Sequence, residues 1–374
     1  MYNRLRLGAL LGFFTTINAA THELIVGTFG TKALYTLEFD DEALTLELVA
    51  NTSVPVAGSW LALSHDKSNL YSTAYQASSP AFVSYSVANA TSITHDVTVP
   101  AGGNCTASAI FAVADPNPPH SVYGAFFGSN AGCGAVLSVD ESGRLESAVQ
   151  NYTYSSSSAV HGTAFSPDSK FLYSADDSGN TLWTHSIDPT TGEVAFVANL
   201  TAPSTGAHPR HVAVHPQGKY LYVILEGSSQ LAQYAIDGDT GVPSAQNATY
   251  ALLPPGEDAK NYWADEVALS PSNDYLWATN RGRGANATGY ISAFALDGEG
   301  RILGQNFLLP TTSSGGAANS VAPSPFADRF AALTDSSVGF VEIWELAADA
   351  SSANVVAHLD LIDGGCCANA VWYS

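Results

Sequence analysis

One phrase recurs along the chain: a turn led by Ser, His or Asp, often with Pro next, followed by a short aromatic-containing apolar strand. It reads "SHDKSNLYSTA", "DPNPPHSVYGA", "SPDSKFLYSAD", "HPQGKYLYVIL", "SPSNDYLWATN" and "SPFADRFAALT", and "THELIVGTF" near the N-terminus supplies a seventh strand of the same kind. Aligning the first core apolar residue of each gives Leu24, Leu70, Val122, Leu172, Leu221, Leu276 and Phe330, spaced by 46, 52, 50, 49, 55 and 54 residues. Each unit continues with a second alternating run, such as "NTLWTHSID" or "GYISAFALD", and then an outer strand such as "VAFVANLTA". Apolar/polar alternation is the pattern of a half-buried strand, and no strong amphipathic helix interrupts it. A period near 51 residues with four short strands per unit predicts an all-β chain: a seven-bladed β-propeller with four antiparallel strands per blade. A β-helix needs a shorter period, and a single sandwich does not repeat seven times. The ring is expected to close by N- and C-terminal strands sharing a blade, "HELIVGTF" beside "ANAVWYS".

The first residues, "MYNRLRLGALLGFFTTINAA", place Arg4 and Arg6 before an apolar run from Leu7 to Ile17 and then small residues. That is the pattern of a secretory signal peptide, so residues 1–20 are read as a leader and 21–374 as the propeller domain. The run is too short to span a bilayer, and no later stretch is long and apolar enough to do so. The expected location is secreted or cell surface. Seven Asn-x-Ser/Thr sequons, at Asn51, Asn89, Asn104, Asn151, Asn199, Asn247 and Asn286, fit glycosylation on that route. Asn51, Asn151, Asn199 and Asn247 fall 26 to 29 residues after their unit's core apolar residue, which puts them on the outermost strand. Sugars there discourage edge-to-edge pairing and stay clear of the channel. Cys105 and Cys133 are expected to form a disulfide; Cys366 and Cys367 either pair with each other or stay free.

With only 13 Lys+Arg, the chain carries a formal charge of −21. Sequence-independent binding to nucleic acid or to an anionic membrane needs basic surface that is missing here. A small anionic substrate stays open, because local arginines outweigh a distant diffuse field.

In a propeller the innermost strand of each blade lines the axis and the second returns beside it. The start of one and the end of the other therefore share a face. Five residues before each turn's leading residue stand Ser59, Ile110, His161, Arg210, Asp265 and Asn319; five after each core apolar residue stand Phe29, Tyr75, Phe127, Asp177, Glu226, Arg281 and Asp335. Phe29, Tyr75, Ile110 and Phe127 make one side apolar, while His161, Arg210, Glu226, Arg281 and Asp177 or Asp265 gather on the other. An apolar wall facing convergent ionisable groups is what a small-molecule pocket requires. Taken singly, these residues also suit structural roles, such as a cross-strand Arg210–Glu226 pair or a hydrogen-bonded channel histidine. Their joint placement on neighbouring blades favours function.

Other patterns carry less. His208, His211 and His215 form an H-x2-H-x3-H string, but strand alternation is expected to send Arg210 and His211 to opposite faces, which argues against a zinc site. "NRGRG" at 280–284 follows no strand-to-helix pattern and is not read as a phosphate loop, although Arg283 is a candidate second cation for the pocket. No Gly-x-Ser-x-Gly elbow points to a serine hydrolase.

Through "VHGTAFSPDSKFLYSADD", "HPRHVAVHPQGKYLYVILEGSSQLAQY", "ADEVALSPSNDYLWATNRG", "NSVAPSPFADRFAALTDSSVGFVEIWEL" and "CANAVWYS", the chain resembles the lactonase-type seven-bladed propellers. That family includes propeller-type 6-phosphogluconolactonases and the fungal carboxy-cis,cis-muconate cyclases, and the C-terminal motifs look more like the cyclases. The resemblance implies that His161, Arg210, Glu226 and Arg281 form the active-site set and that no metal or other cofactor is needed; the two columns and the 280–284 loop add Phe29, Tyr75, Phe127, Asp177, Asp265, Asn319 and Arg283 as substrate-facing candidates. It implies lactonisation of a polycarboxylate diene, in which Arg210 and Arg281 each hold a carboxylate through a two-point fork and His161, near its ordinary pKa, serves as acid and base with Glu226 as rival. Two other functions are carried alongside: lactone hydrolysis by the same groups, and an extracellular binding or adhesive glycoprotein without catalysis. The sequence sets no oligomeric state.

Overall fold

The computed structural model of the chain describes residues 20–103, 105–128 and 132–374. These residues form seven four-stranded sheets. In chain order the blades span residues 61–100, 108–153, 160–201, 209–251, 262–310 and 321–360, numbered here blades 1 to 6. Blade 7 joins the last strand to the first three: Ala370–Trp372 lies antiparallel to Thr21–Val26, with Leu24 opposite Trp372 and Val26 opposite Ala370. The innermost strands touch in cyclic order, and Ala370–Trp372 meets both Val321–Pro323 and Leu61–Leu63. The ring is closed as the repeat implies.

All seven aligned apolar residues, from Leu24 to Phe330, are buried in the second strand of their blades. Side chains from facing blades interdigitate there; Tyr173, Ala175 and Leu182 of blade 3, for example, pack with Leu221, Val223 and Tyr234 of blade 4. The recurring aromatic has a second task. Tyr71, Tyr123 and Tyr173 each donate their hydroxyl to a turn carbonyl of the next blade, at Gly143 (2.6 Å), Gly192 (2.7 Å) and Gly241 (2.9 Å), and Tyr222 does the same to Gly300. A buried phenol needs such a partner, and here the partner ties one blade to its neighbour. The turn serine closes the hairpin: Ser64, Ser166 and Ser270 Oγ accept the N–H of Asn69, Phe171 and Tyr275 at 3.0, 3.0 and 3.2 Å.

Helix is confined to the single 3-10 turn Ala259–Asn261 among the described residues, none of whose helices is long and apolar enough to cross a membrane. Cys105 is bonded to Cys133, and Cys366 to Cys367. Asn51, Asn151, Asn199 and Asn247 lie on the outermost strands of blades 7, 2, 3 and 4. Asn51, Asn89, Asn151, Asn199 and Asn286 are exposed, whereas Asn104 lies outside the described residues, as does the leader apart from Ala20.

Candidate active site

Four neighbouring blades break their inner-strand register at the same place. Between Ala109 and Phe111, Val160 and Gly162, Pro209 and Val212, and Ala264 and Val267, the inner strand carries one residue more than its partner. A β-bulge bends the strand and re-aims its side chains. The bulged residues are Ile110, His161, the Arg210–His211 pair and the Asp265–Glu266 pair. Two consecutive side chains of blades 4 and 5 thereby reach the same cavity. The expectation that His211 turns away from Arg210 is overturned by this bulge: both line the site.

The cavity holds about 400 Å³ at the mouth of the channel, the scale of a small-molecule site. Phe29, Tyr75, Ile110 and Phe127 form the anticipated apolar side, with Phe29 edge-on to Tyr75 at 5.3 Å and Phe127 edge-on to His161 at 5.0 Å. Trp60 deepens it, with the Phe111 ring packed against Trp60 at 4.5 Å. Trp60, His211, Glu266 and Ser320, together with Trp263, Ala317, Ala318 and Asn369, line the cavity outside the two predicted columns. The first four each directly follow a residue of the inner column, where strict alternation would turn the side chain away from the cavity.

On the opposite side two guanidiniums face two carboxylates. Glu226 Oε2 lies 2.9 Å from Arg210 Nε and 3.3 Å from Arg281 Nη2. Asp265 Oδ1 contacts Arg210 Nη1 and lies 3.3 Å from Arg281 Nε. Arg210 Nη1 also donates to the Asp265 carbonyl at 2.6 Å, and Arg281 Nη1 to the carbonyl of Ala317. Burial alone would raise the Asp265 carboxyl, but Arg210 and Arg281 outweigh it and hold the pKa below the ordinary value. The expected open forks are therefore largely occupied by protein. Arg210 Nη2 donates no hydrogen bond among the described residues, so it and the second N–H of Arg281 Nη2 remain for a ligand.

His161 and His211 differ from the expectation as well. Burial, then the charge of Arg210, holds both imidazoles well below 6.5, so His161 is neutral and does not titrate near neutrality. His161 Nδ1 lies 2.9 Å from His211 Nε2, and His211 Nδ1 lies 2.9 Å from Glu266 Oε2. Burial, then repulsion from Asp265, raises the Glu266 carboxyl to about 8.

Three candidate ligand contacts stand outside the cavity. Asp177 lies behind Glu226, with His208 Nδ1 3.4 Å from its Oδ1; burial, then Glu226, raises its pKa to about 6. Asn319 is a brace: its N–H donates to Asp265 Oδ2 at 2.6 Å and its amide to the Asn280 carbonyl at 3.0 Å. Arg283 lies in an adjoining groove, its guanidinium 4.5 Å from the Trp263 ring centroid and its Nε donating to the Tyr262 carbonyl. His208 and His215 do not converge with His211; they bond the Asp177 carbonyl and the Gln217 N–H.

Over residues 23–314 the chain matches the family described as "Lactonase, 7-bladed beta-propeller". It is 38% identical over 369 residues to the carboxy-cis,cis-muconate cyclase of Neurospora crassa, covering 94% of this chain and 99% of that protein. It is 27% identical over 361 residues to muconate cycloisomerase 1 of Cutaneotrichosporon cutaneum, covering 88% and 91%. Among solved structures, the periplasmic gluconolactonase of Pseudomonas aeruginosa shares the fold, with a TM-score of 0.80 over 95% of this chain and 99% of that one at 19% identity. The chain belongs to the seven-bladed lactonase propeller family and is a homologue of the Neurospora cyclase.

Proposed function

We propose that the cavity closes a lactone ring on a polycarboxylate diene of the 3-carboxy-cis,cis-muconate kind. The observation that carries this reading is the pairing of two buried arginines, each with N–H groups left over, with a neutral histidine whose ring faces the same space. In such a reaction one substrate carboxylate adds across the conjugated double bond, negative charge builds on the remote carboxyl, and a carbon then takes a proton. Arg210 and Arg281 are locked by Asp265 and Glu226 before substrate arrives. Their remaining N–H groups meet the developing enolate oxygens without reorganisation, which is where preorganised donors act most strongly. Two guanidiniums against two carboxylates leave the resting site near neutral, so the field of a −21 chain matters less locally. The apolar wall from Phe29 to Phe127 takes the flat diene and excludes water.

The neutral state of His161 supports one further reading, hydrolysis of a preformed lactone, because an unprotonated imidazole can also activate water. Mixing the protein with 3-carboxy-cis,cis-muconate separates the two: lactonisation erases the diene absorbance, and hydrolysis alone leaves it. Unchanged absorbance together with acid release from added sugar lactones would favour the second reading.

The site is placed outside the cytoplasm in this proposal, with residues 1–20 as a secretory leader and glycans on exposed sequons. The leader pattern, the paired cysteines and the exposed Asn51, Asn89, Asn199 and Asn286 support it. N-terminal sequencing and mass spectrometry of material from a secreting host test it; an unprocessed, unglycosylated product would refute it.

A further inference from the structure

We infer that Glu266, His211 and His161 form one proton relay that sets whether His161 meets the substrate as an acid or as a base. The inference rests on the proposed lactonisation for its direction, but its resting state is defined by the protein alone. Three side chains from consecutive blades stand in line: Glu266 Oε2 to His211 Nδ1 is 2.9 Å, and His211 Nε2 to His161 Nδ1 is 2.9 Å. Among the described residues His161 Nε2 makes no hydrogen bond, and the ring lines the cavity. His211 is only 2% exposed, its ring 4.8 Å from that of Trp60 and 5.6 Å from that of Phe111. Water is thus kept from the middle of the chain of bonds.

The neighbours assign the tautomers. Arg210 Nη1, which can only donate, also points at His211 Nδ1 from 3.4 Å. That nitrogen is therefore the acceptor, its proton resides on Nε2, and it is donated to His161 Nδ1. His161 then carries its own proton on Nε2, facing the cavity. The arrangement requires Glu266 to be the donor at the far end. Its Oε1 accepts the Val267 N–H at 3.1 Å and its Oε2 the Ser320 hydroxyl at 3.4 Å, leaving Oε2 to bear the proton. The charged groups facing it are Asp265, which favours the protonated form, and Arg210, which opposes it; burial decides in favour of the acid up to about pH 8.

Delivery balances without an imidazolium. As the ring C–O bond forms, the carbanionic carbon takes the Nε2 proton of His161. His161 Nδ1 takes the Nε2 proton of His211, and His211 Nδ1 takes the carboxyl proton of Glu266. One C–H and two N–H bonds form while two N–H bonds and one O–H bond break, and the charge that left the substrate carbon ends on Glu266. Solvent returns one proton to Glu266 after the product leaves. With Glu266 ionised, both imidazoles reverse their hydrogen bonds, and His161 presents a bare Nε2, the form a base needs. His211 and Glu266 act through His161 and are positioning residues.

The test combines infrared difference spectroscopy and 15N NMR of the intact protein with kinetics of Glu266→Gln. At neutral pH the relay requires a protonated-carboxyl C=O band that disappears in Glu266→Gln, and Nε2–H tautomers at both His161 and His211. An absent band, or Nδ1–H on His161, overturns it whatever the substrate. In the diene assay Glu266→Gln, which puts an N–H donor in the same place but has no carboxyl proton to release, is expected to lower kcat about a hundredfold with KM little changed, and Glu266→Asp to restore part of the loss. Unchanged kcat in a folded Glu266→Gln overturns the relay. A wild type inactive on the diene would count against the lactonisation reading and leave the spectroscopic result to decide the relay.

Discussion

A Cβ added to Gly162 would stand 2.5 Å from Cδ2 of His211 and 2.9 Å from the Arg210 carbonyl. Gly162 follows the bulged His161, and only the missing side chain lets the neighbouring blade's imidazole approach His161 at 2.9 Å. Gly162→Ala is expected to cost about 1–3 kcal/mol of stability, as overpacking does, and to lower kcat by displacing His211. Thermal melts and diene kinetics check both; unchanged kcat would show that the ring spacing is immaterial.

The ion pairs predict a measurable coupling. Arg210→Met leaves Asp265 and Glu226 with one guanidinium between them, and removing one member of a buried pair costs about 3–5 kcal/mol. Adding Asp265→Asn restores the charge balance. The double variant is expected to be more stable than Arg210→Met alone, while remaining inactive because the free Arg210 Nη2 is gone. Denaturant midpoints of the double-mutant cycle test this; simple additivity would contradict it.

Much of this geometry was legible in the chain, for a physical reason. A propeller's blades repeat, so equal offsets from a turn land at equal heights, and His161, Arg210, Glu226, Asp265 and Arg281 came together on that basis. The bulges were not legible: strand alternation assigns one face to each residue, and only the paired register shows His211 beside Arg210 and Glu266 beside Asp265. The offset rule also overreached at Asp177 and Asn319, because equal height does not ensure that a side chain faces the cavity. The imidazole pKa was misjudged because residue type gives the ordinary value, whereas burial beside Arg210 sets the actual one.

Stability should depend on pH at both ends. Glu266 has a folded pKa raised from 4.5 to about 8, so it binds its proton more tightly when folded. Its stabilising contribution is complete below 4.5 and is lost as pH rises through about 8. His161 and His211 are depressed below 6.5, so their contribution is present above 6.5 and falls as acid charges the unfolded chain first. Melting temperatures of wild type and Glu266→Gln between about pH 6 and pH 9 should diverge, with the wild type losing more on the alkaline side. Parallel curves would contradict the raised carboxyl.

Sequons on the outer strands predict that glycans and catalysis are independent. On the proposed glycosylation, enzymatic removal of N-glycans from protein made in a secreting host is expected to leave kcat and KM unchanged while raising aggregation, because sugars proposed on the outer strands of blades 2, 3, 4 and 7 would cover their edges. Light scattering and kinetics before and after treatment decide it.

The most direct measurement is proton stoichiometry. In weakly buffered solution with an indicator dye, 3-carboxy-cis,cis-muconate is mixed with the protein while diene absorbance and proton concentration are followed together. Ring closure on a trianion to give a dianionic lactone consumes one proton for each diene lost, and the account predicts that ratio. Proton release, or loss of neither signal, would contradict it.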